Sequence, residues 1–194
     1  MSLHLLGERH GLGDAALAEA LRAHGVDARL TLLGRAQSLR PGETVLPRGT
    51  GVGDAPGLVA LLRSLEHRGV RVLNPAAAVE AACHPPILAR ALGGLGVPLA
   101  AATLPVDGRV LVCDARIVAT GPAATPEAEA LAVWAATAIG ATLVAVEIAG
   151  DAVKALDPFP SLAQGWDSPA DQVRDRVAAS LAARLGRRAR AATA

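Results

Sequence analysis

Gly96-Val97-Pro98, then residues 99–106, then Asp107-Gly108-Arg109-Val110-Leu111-Val112-Cys113-Asp114-Ala115-Arg116-Ile117-Val118-Ala119 places a helix end and a β-hairpin within one short span of chain. Glycine tolerates the left-handed position that closes a helix, and a following proline cannot continue it. The apolar runs 109–113 and 116–120 flank Asp114-Ala115, the pattern of two strands about a tight turn. Only eight residues, 99–106, lie between the two signals, too few for any independent unit between helix and hairpin.

Working backwards, Pro85-Pro86 opens the helix that ends at Gly96, because proline is tolerated in a first turn. An alanine-rich helical stretch before it reaches Cys83, and Asn74-Pro75 breaks the chain ahead of that. Residues 2–6 form a short apolar strand, and Gly7 to Gly13 lead into a helix expected over 14–24, with Asp14 as N-cap, Leu17 and Leu21 on one face and Gly25 as C-cap. A strand over 26–33, a turn at Arg40-Pro41-Gly42, a strand over 44–46 and a glycine-rich loop at 49–53 follow. Asp54 caps the next helix, whose stripe is Leu58, Leu61, Leu62 and Leu65 and whose end is Gly69. With a strand over 70–73, this alternation predicts a small parallel sheet covered by helices.

Working forwards, Thr125-Pro126-Glu127 caps a helix carrying Leu131, Trp134, Ala135 and Ile139, closed by Gly140. Residues 141–148 are an apolar strand and 157–165 are irregular. Ser168-Pro169-Ala170-Asp171 starts a last helix, with Val173, Val177, Leu181 and Leu185 on one face. The expected organisation is an α/β domain over 1–75, linking helices over 76–98, an α+β domain over 99–186 and a basic tail over 187–194.

The chain has 194 residues, 52% apolar but 2% aromatic, so its core is Ala, Leu and Val. A net charge of +1 with dispersed basic residues leaves no nucleic-acid footprint, the Arg187-Arg188-Ala189-Arg190 cluster being a solvated end. Two cysteines make no disulfide framework, and no apolar run is long enough to span a membrane, so a cytoplasmic protein is expected. Gly7-Glu8-Arg9-His10-Gly11-Leu12-Gly13 joins a strand to a helix, where backbone amides can bind an anion, yet it lacks Gly-x-Gly-x-x-Gly and reads first as a tight turn. Gly49 to Gly53 lacks the Gly-Lys-Ser/Thr ending of a P-loop. Cys83-His84 has no further ligand at zinc spacing, and Ser64 and His67 read as solvated helix surface.

Four stretches together resemble the ATP-grasp superfamily, and within it the ribosomal-protein glutamate ligase branch. They are Val45 to Gly49 with the helix and Gly69 to Pro75 after it; His84 to Pro98; Asp107-Gly108-Arg109 with its hairpin; and Glu127 to Leu162, including Ala145-Val146-Glu147-Ile148 and Ala155-Leu156-Asp157-Pro158-Phe159-Pro160-Ser161-Leu162. The resemblance implies a preliminary parallel-sheet domain followed by the remnant of a ligase core. The second and third stretches lie, in the family, on either side of a nucleotide-binding subdomain, and here that subdomain is lacking. It implies further that Pro85 replaces the first ATP-binding lysine and that Ala155 and Asp157 replace a magnesium-binding Glu and Asn. Lys154 is the only lysine in the chain.

By the same resemblance Arg109 is a candidate ligand for phosphate or carboxylate, with a planar fork of donors. Glu147 and Asp157 are candidate ligand-binding residues and weak magnesium ligands. Phosphoryl transfer needs dense positive charge at the γ-phosphate, so no cofactor is expected, weak Mg/ATP binding apart. The first expectation is a non-catalytic ATP-grasp-like protein that associates with itself or with another protein subunit. A small-molecule binder of an anion or amino acid in the inter-domain cleft is the alternative, and an ATP-dependent carboxylate-amine ligase is another. Loss of the subdomain is expected to bare Val110, Val112, Val144 and Val146, to be covered by a second chain or by the loop carrying Phe159 and Trp166.

Overall fold

The computed structural model describes residues 2–49 and 55–191. In chain order the elements are β1 (Ser2–Gly7), α1 (Leu12–Ala23), β2 (Asp27–Leu32), a 3-10 turn (Leu33–Ser38), β3 (Thr44–Pro47), α2 (Ala55–His67), β4 (Arg71–Val72), α3 (Ala76–Cys83), α4 (Pro85–Gly93), β5 (Gly108–Cys113), β6 (Arg116–Thr120), α5 (Pro126–Ala138), β7 (Leu143–Ala149), β8 (Ala152–Asp157) and α6 (Ala170–Ala191). Strands β2-β1-β3-β4 form one sheet, all parallel, and β6-β5-β7-β8 a second, all antiparallel. Between α4 and β5, residues 94–107 carry no helix or strand beyond the single bridge of Leu99 to Val153. The chain is thus a parallel α/β half joined to an antiparallel α+β half, with nothing inserted between helix and hairpin.

Three apolar layers hold the sheets. Leu6, Val45 and Val72 pack one face of the parallel sheet against Val59, Leu62 and Leu65 of α2 and Val79 of α3. Leu3, Leu5 and Leu46 on its other face meet Leu17 and Leu21 of α1, and this layer continues through Val173, Val177, Leu181 and Leu185 of α6 to Leu111, Cys113, Leu143 and Ala145 of the antiparallel sheet. The residues of the α6 stripe are at most 1% exposed. Each such side chain contributes about 2 kcal/mol of transfer free energy, so this shared layer outweighs any surface ion pair between the halves. Burial also pushes the Cys113 thiol up to about 12, making it an inert core side chain.

Turn chemistry accounts for the element ends. Gly25, Gly69, Gly96 and Gly140 all have positive φ, and so do Asp114 (52°) and Ala115 (58°), the pair that turns β5 into β6. Two successive left-handed residues match the twist of a two-residue hairpin. Asp114 then receives ion pairs from Arg184 and Arg187 of α6, which pin the turn to that helix. Thr125 caps α5, its hydroxyl accepting from Ala128 N–H at 3.3 Å.

The structure departs from the sequence expectations at several points. Gly11, not Asp14, is the N-cap of α1; Asp14 lies in the first turn and is drawn to Arg48 instead. β8 was not anticipated, since alanine-rich Ala152–Asp157 has little strand signature. Helices α5 and α6 lie on opposite faces of the C-terminal sheet. Val110, Val112, Val144 and Val146 are not bared: all are fully buried beneath Ala128, Ala132, Ala135 and Ala136 of α5, with Leu88 and Leu92 of α4 beside them. Small side chains let α5 approach the sheet closely, and Trp134 is left pointing outward. Residues 187–191 are the last turns of α6 rather than a separate tail. The Asp54 cap lies outside the described residues.

Candidate functional site

Arg109 of β5 stands opposite Glu147 of β7 in the antiparallel register, and Glu147 in turn stands opposite Ala155 of β8. Asp157, at the end of β8, pairs with Ala145. The alternation that puts Leu111 and Ala145 on the α6 side puts Arg109, Glu147 and Asp157 there too. All three sequence candidates therefore share one sheet face. Arg109 Nη2 donates to Asp157 Oδ2 at 3.4 Å, a long and partly solvated contact worth little. The guanidinium also lies 4.8 Å from the ring centroid of Trp166, whose Nε1–H donates to the Ser161 carbonyl at 2.9 Å. Stacking on a fixed indole, worth about 0.5–2 kcal/mol, positions Arg109 more firmly than the ion pair does. Trp166 is thus a site residue that the sequence reading used only as a possible cover.

Gly165 is required beside it, because a Cβ there would meet Arg109 Nη1 at 3.1 Å and the residue has φ +86°. The other Asp157 oxygen, Oδ1, accepts the Phe159 N–H at 2.9 Å. Both carboxylate oxygens therefore have protein partners. Glu147 is half-buried and has no ion pair among the described residues.

Asp157 also lines a cavity of about 490 Å³ between the two halves, shared with Gly11, Gly13 and Asp14 at the start of α1, Arg48 and Gly49 after β3, and Phe159. Arg48 was quoted in the sequence only as part of a strand end. Here its Nε donates to Asp14 Oδ1 at 3.1 Å and its Nη2 to the Pro160 carbonyl at 3.0 Å. His10 approaches the same Asp14, Nδ1 to Oδ2 at 3.6 Å, while its Nε2–H donates to the Thr31 carbonyl at 3.0 Å. The signal available in sequence was an arginine directly after a parallel strand; what it faces is decided by residues far away in the chain. Cys83 and His84 join no group of three or more metal-binding side chains among the described residues.

The sequence matches no protein-family model and no curated protein. Solved structures do match. D-cycloserine synthetase DcsG superimposes with a TM-score of 0.71 at 16% identity, covering 95% of this chain and 100% of that one. A RimK domain protein ATP-grasp from Sphaerobacter thermophilus superimposes at 0.68 and 18% identity, covering 93% and 100%. ATP-grasp ligase PsnB, complexed with precursor peptide PsnA2 and AMPPNP, gives 0.67 and 14% identity over 95% and 96%. The fold is that of the ATP-grasp ligases. Within an ATP-grasp fold, the Arg109, Glu147 and Asp157 face belongs to the antiparallel half, and the Arg48 cavity sits where that half meets the parallel sheet. No helix among the described residues of this ATP-grasp-fold chain is long and apolar enough to cross a membrane.

Proposed function

We propose that this protein acts by association, as a non-catalytic member by fold of the ATP-grasp ligases that serves as a subunit, with itself or with another protein. The observation that carries this reading is an apolar groove on the outer side of α5. Trp134 is 47% exposed there, and the groove is lined further by Pro98, Ala130 and Leu131, with Glu127 and Asp151 at its rim. The neighbouring connection over residues 94–107 exposes Leu95, Leu99, Leu104 and Val106. A tryptophan among aliphatic side chains with a charged rim is the composition of an interface centre, and monomers seldom leave such a surface uncovered. The surface differs from the sheet face expected from sequence, but it arises at the same place, where the short connection brings α4 directly to β5. The PsnB structure, which holds a precursor peptide, supports the idea that chains of this fold engage other polypeptides.

Mg-ATP is not a cofactor in this reading, because the residues present do not suit it. Pro85 and Ala155 stand where the resemblance places a lysine and a glutamate. Asp157 already receives Arg109 and the Phe159 amide. Lys154, the sole lysine, donates to the Leu104 carbonyl.

Light scattering tests the proposal. The wild-type chain, alone or with a stoichiometric partner purified alongside it, is expected to show a mass above the monomer. Trp134→Glu is expected to return it to the monomer with an unchanged far-UV circular dichroism spectrum, since the side chain is outside the core. A wild-type protein that is monomeric at every concentration and brings no stoichiometric partner would falsify the association reading, and saturable Mg-ATP binding in the micromolar range would overturn its non-catalytic half.

A further inference from the structure

The groove on the outer side of α5 is one-sided in charge. Its apolar walls come from Pro98, Ala130, Leu131 and Trp134, and the two charged side chains that line it, Glu127 and Asp151, are both acidic. A third carboxylate stands beside them: Asp107 Oδ2 accepts the N–H of Gly150, another lining residue, at 2.7 Å. Among the described residues no arginine or lysine lines the groove, and Lys154, the only lysine in the chain, donates to the Leu104 carbonyl instead. Glu127 is exposed, and hydrogen bonds from its own backbone N–H and from the Thr125 hydroxyl hold its carboxyl below the usual range. The rim is therefore anionic.

The tryptophan adds a second preference. A Cβ at Gly96 would stand 3.8 Å from Trp134 Cη2, so the end of the indole lies against the connection that leaves α4, while the side chain stays largely open to solvent. An indole braced at one end and open beyond it offers its face to a guanidinium or ammonium group, and the neighbouring carboxylates supply acceptors for the same cation. With a volume of about 610 Å³, the groove also has room for aliphatic side chains.

These features decide between the two partners that the association reading leaves open. Identical subunits related by a two-fold axis meet through the same patch on each, so an axis at this groove sets Glu127 and Asp151 against the same acidic rim of the other copy. Like charges facing one another across an interface reject that partner, and a partner of opposite charge is drawn in. Resting on that reading, we propose that the groove docks a basic segment of a different polypeptide. An aliphatic side chain of the segment enters beside Leu131, and its arginine or lysine side chains reach the Trp134 ring and the carboxylates of Glu127 and Asp151.

The probe is a short fluorescein-labelled peptide with leucine and arginine at helical spacing, and the control is the same peptide with glutamate at every arginine; fluorescence anisotropy reads both. The arginine peptide is expected to bind saturably and to lose about tenfold in affinity between about 0.05 and 0.5 M salt, as exposed charge pairs are screened. The glutamate peptide is expected not to bind. Glu127→Gln combined with Asp151→Lys leaves the apolar walls intact, and it should weaken the arginine peptide by about tenfold or more with an unchanged far-UV circular dichroism spectrum. Trp134→Ala should weaken it as well. Equal binding of the two peptides, no binding of the arginine peptide, or binding indifferent to the double variant overturns the proposal. Light scattering separates that failure from failure of the association reading. A wild-type chain that dimerises alone and is dispersed by Trp134→Glu keeps the reading and overturns only the basic partner, whereas a monomer that brings no partner and binds neither peptide defeats both.

Discussion

Asn74→Ala is expected to lower folding stability by about 4–6 kcal/mol, a large share of what a domain of this size possesses. Asn74 is fully buried, and its amide is used completely. Nδ2 donates to the carbonyls of Leu143 (2.6 Å) and Pro158 (2.9 Å), while Oδ1 accepts from the N–H groups of Thr142 (2.7 Å) and Leu143 (2.8 Å). Alanine leaves these four backbone groups without their side-chain partners in the interior, and the loss is an unpaid desolvation rather than the small net worth of an exposed hydrogen bond. The residue also has φ 63°, a region that alanine enters at a cost of about 1 kcal/mol. Asn74→Gly separates the two effects, recovering the backbone share but not the hydrogen bonds. Asn74→Asp keeps the acceptor but turns an oxygen towards two carbonyls, so it should be no better than alanine. Urea denaturation reads all three, and an alanine variant that loses less than about 1 kcal/mol would refute the account.

Phe159→Ala should cost about 3–5 kcal/mol. This is the chain's single phenylalanine, and it leaves the end of β8 to pack with Leu6, Val45 and Leu62 of the parallel half. Its ring lies so close to Gly49 that a Cβ there would stand 2.7 Å from Cδ2. Gly49→Ala alone should therefore destabilise by about 1–3 kcal/mol through overpacking. In the Phe159→Ala background the same change should cost almost nothing, because the methyl group enters the space the ring has left. The double-mutant cycle reads this directly. Additive effects would mean that Gly49 is required for its backbone and not for the room it leaves.

Both predictions concern contacts between halves of the chain, which is where local sequence signals end. Gly25, Gly69 and Gly140 terminate elements because each can take a positive φ, and Asp114-Ala115 turns a hairpin because its neighbours are apolar runs. The stripe Val173, Val177, Leu181 and Leu185 marks its helix by spacing alone. All of these depend on residues within one or two turns. Where composition blurs the period, the signal weakens: of the named Leu131, Trp134, Ala135 and Ile139 in alanine-rich α5 only Ala135 is fully buried, and Ala128, Ala132 and Ala136 complete the face on the sheet. β8 failed for a related reason, having alanine at two of its six positions and Lys154 and Asp157 at two more.

The candidate site divides along the same line. Arg109, Glu147 and Asp157 could be named because a resemblance supplied their positions, and strand alternation then places them on one face. Trp166 beneath Arg109, and Arg48 beside Asp14, could not be named, since each pairing joins residues far apart in sequence. The sequence by itself determined every named strand but β8, the helices with their glycine ends, and the short passage from α4 to β5, because hydrogen bonding and side-chain period act within a few residues. Only the tertiary structure decided which face of the antiparallel sheet each helix covers, and that Asn74 and Phe159 join the halves. It also decided that Arg48 meets Asp14 and the Pro160 carbonyl. These outcomes depend on how volumes and unpaired polar groups meet across the fold.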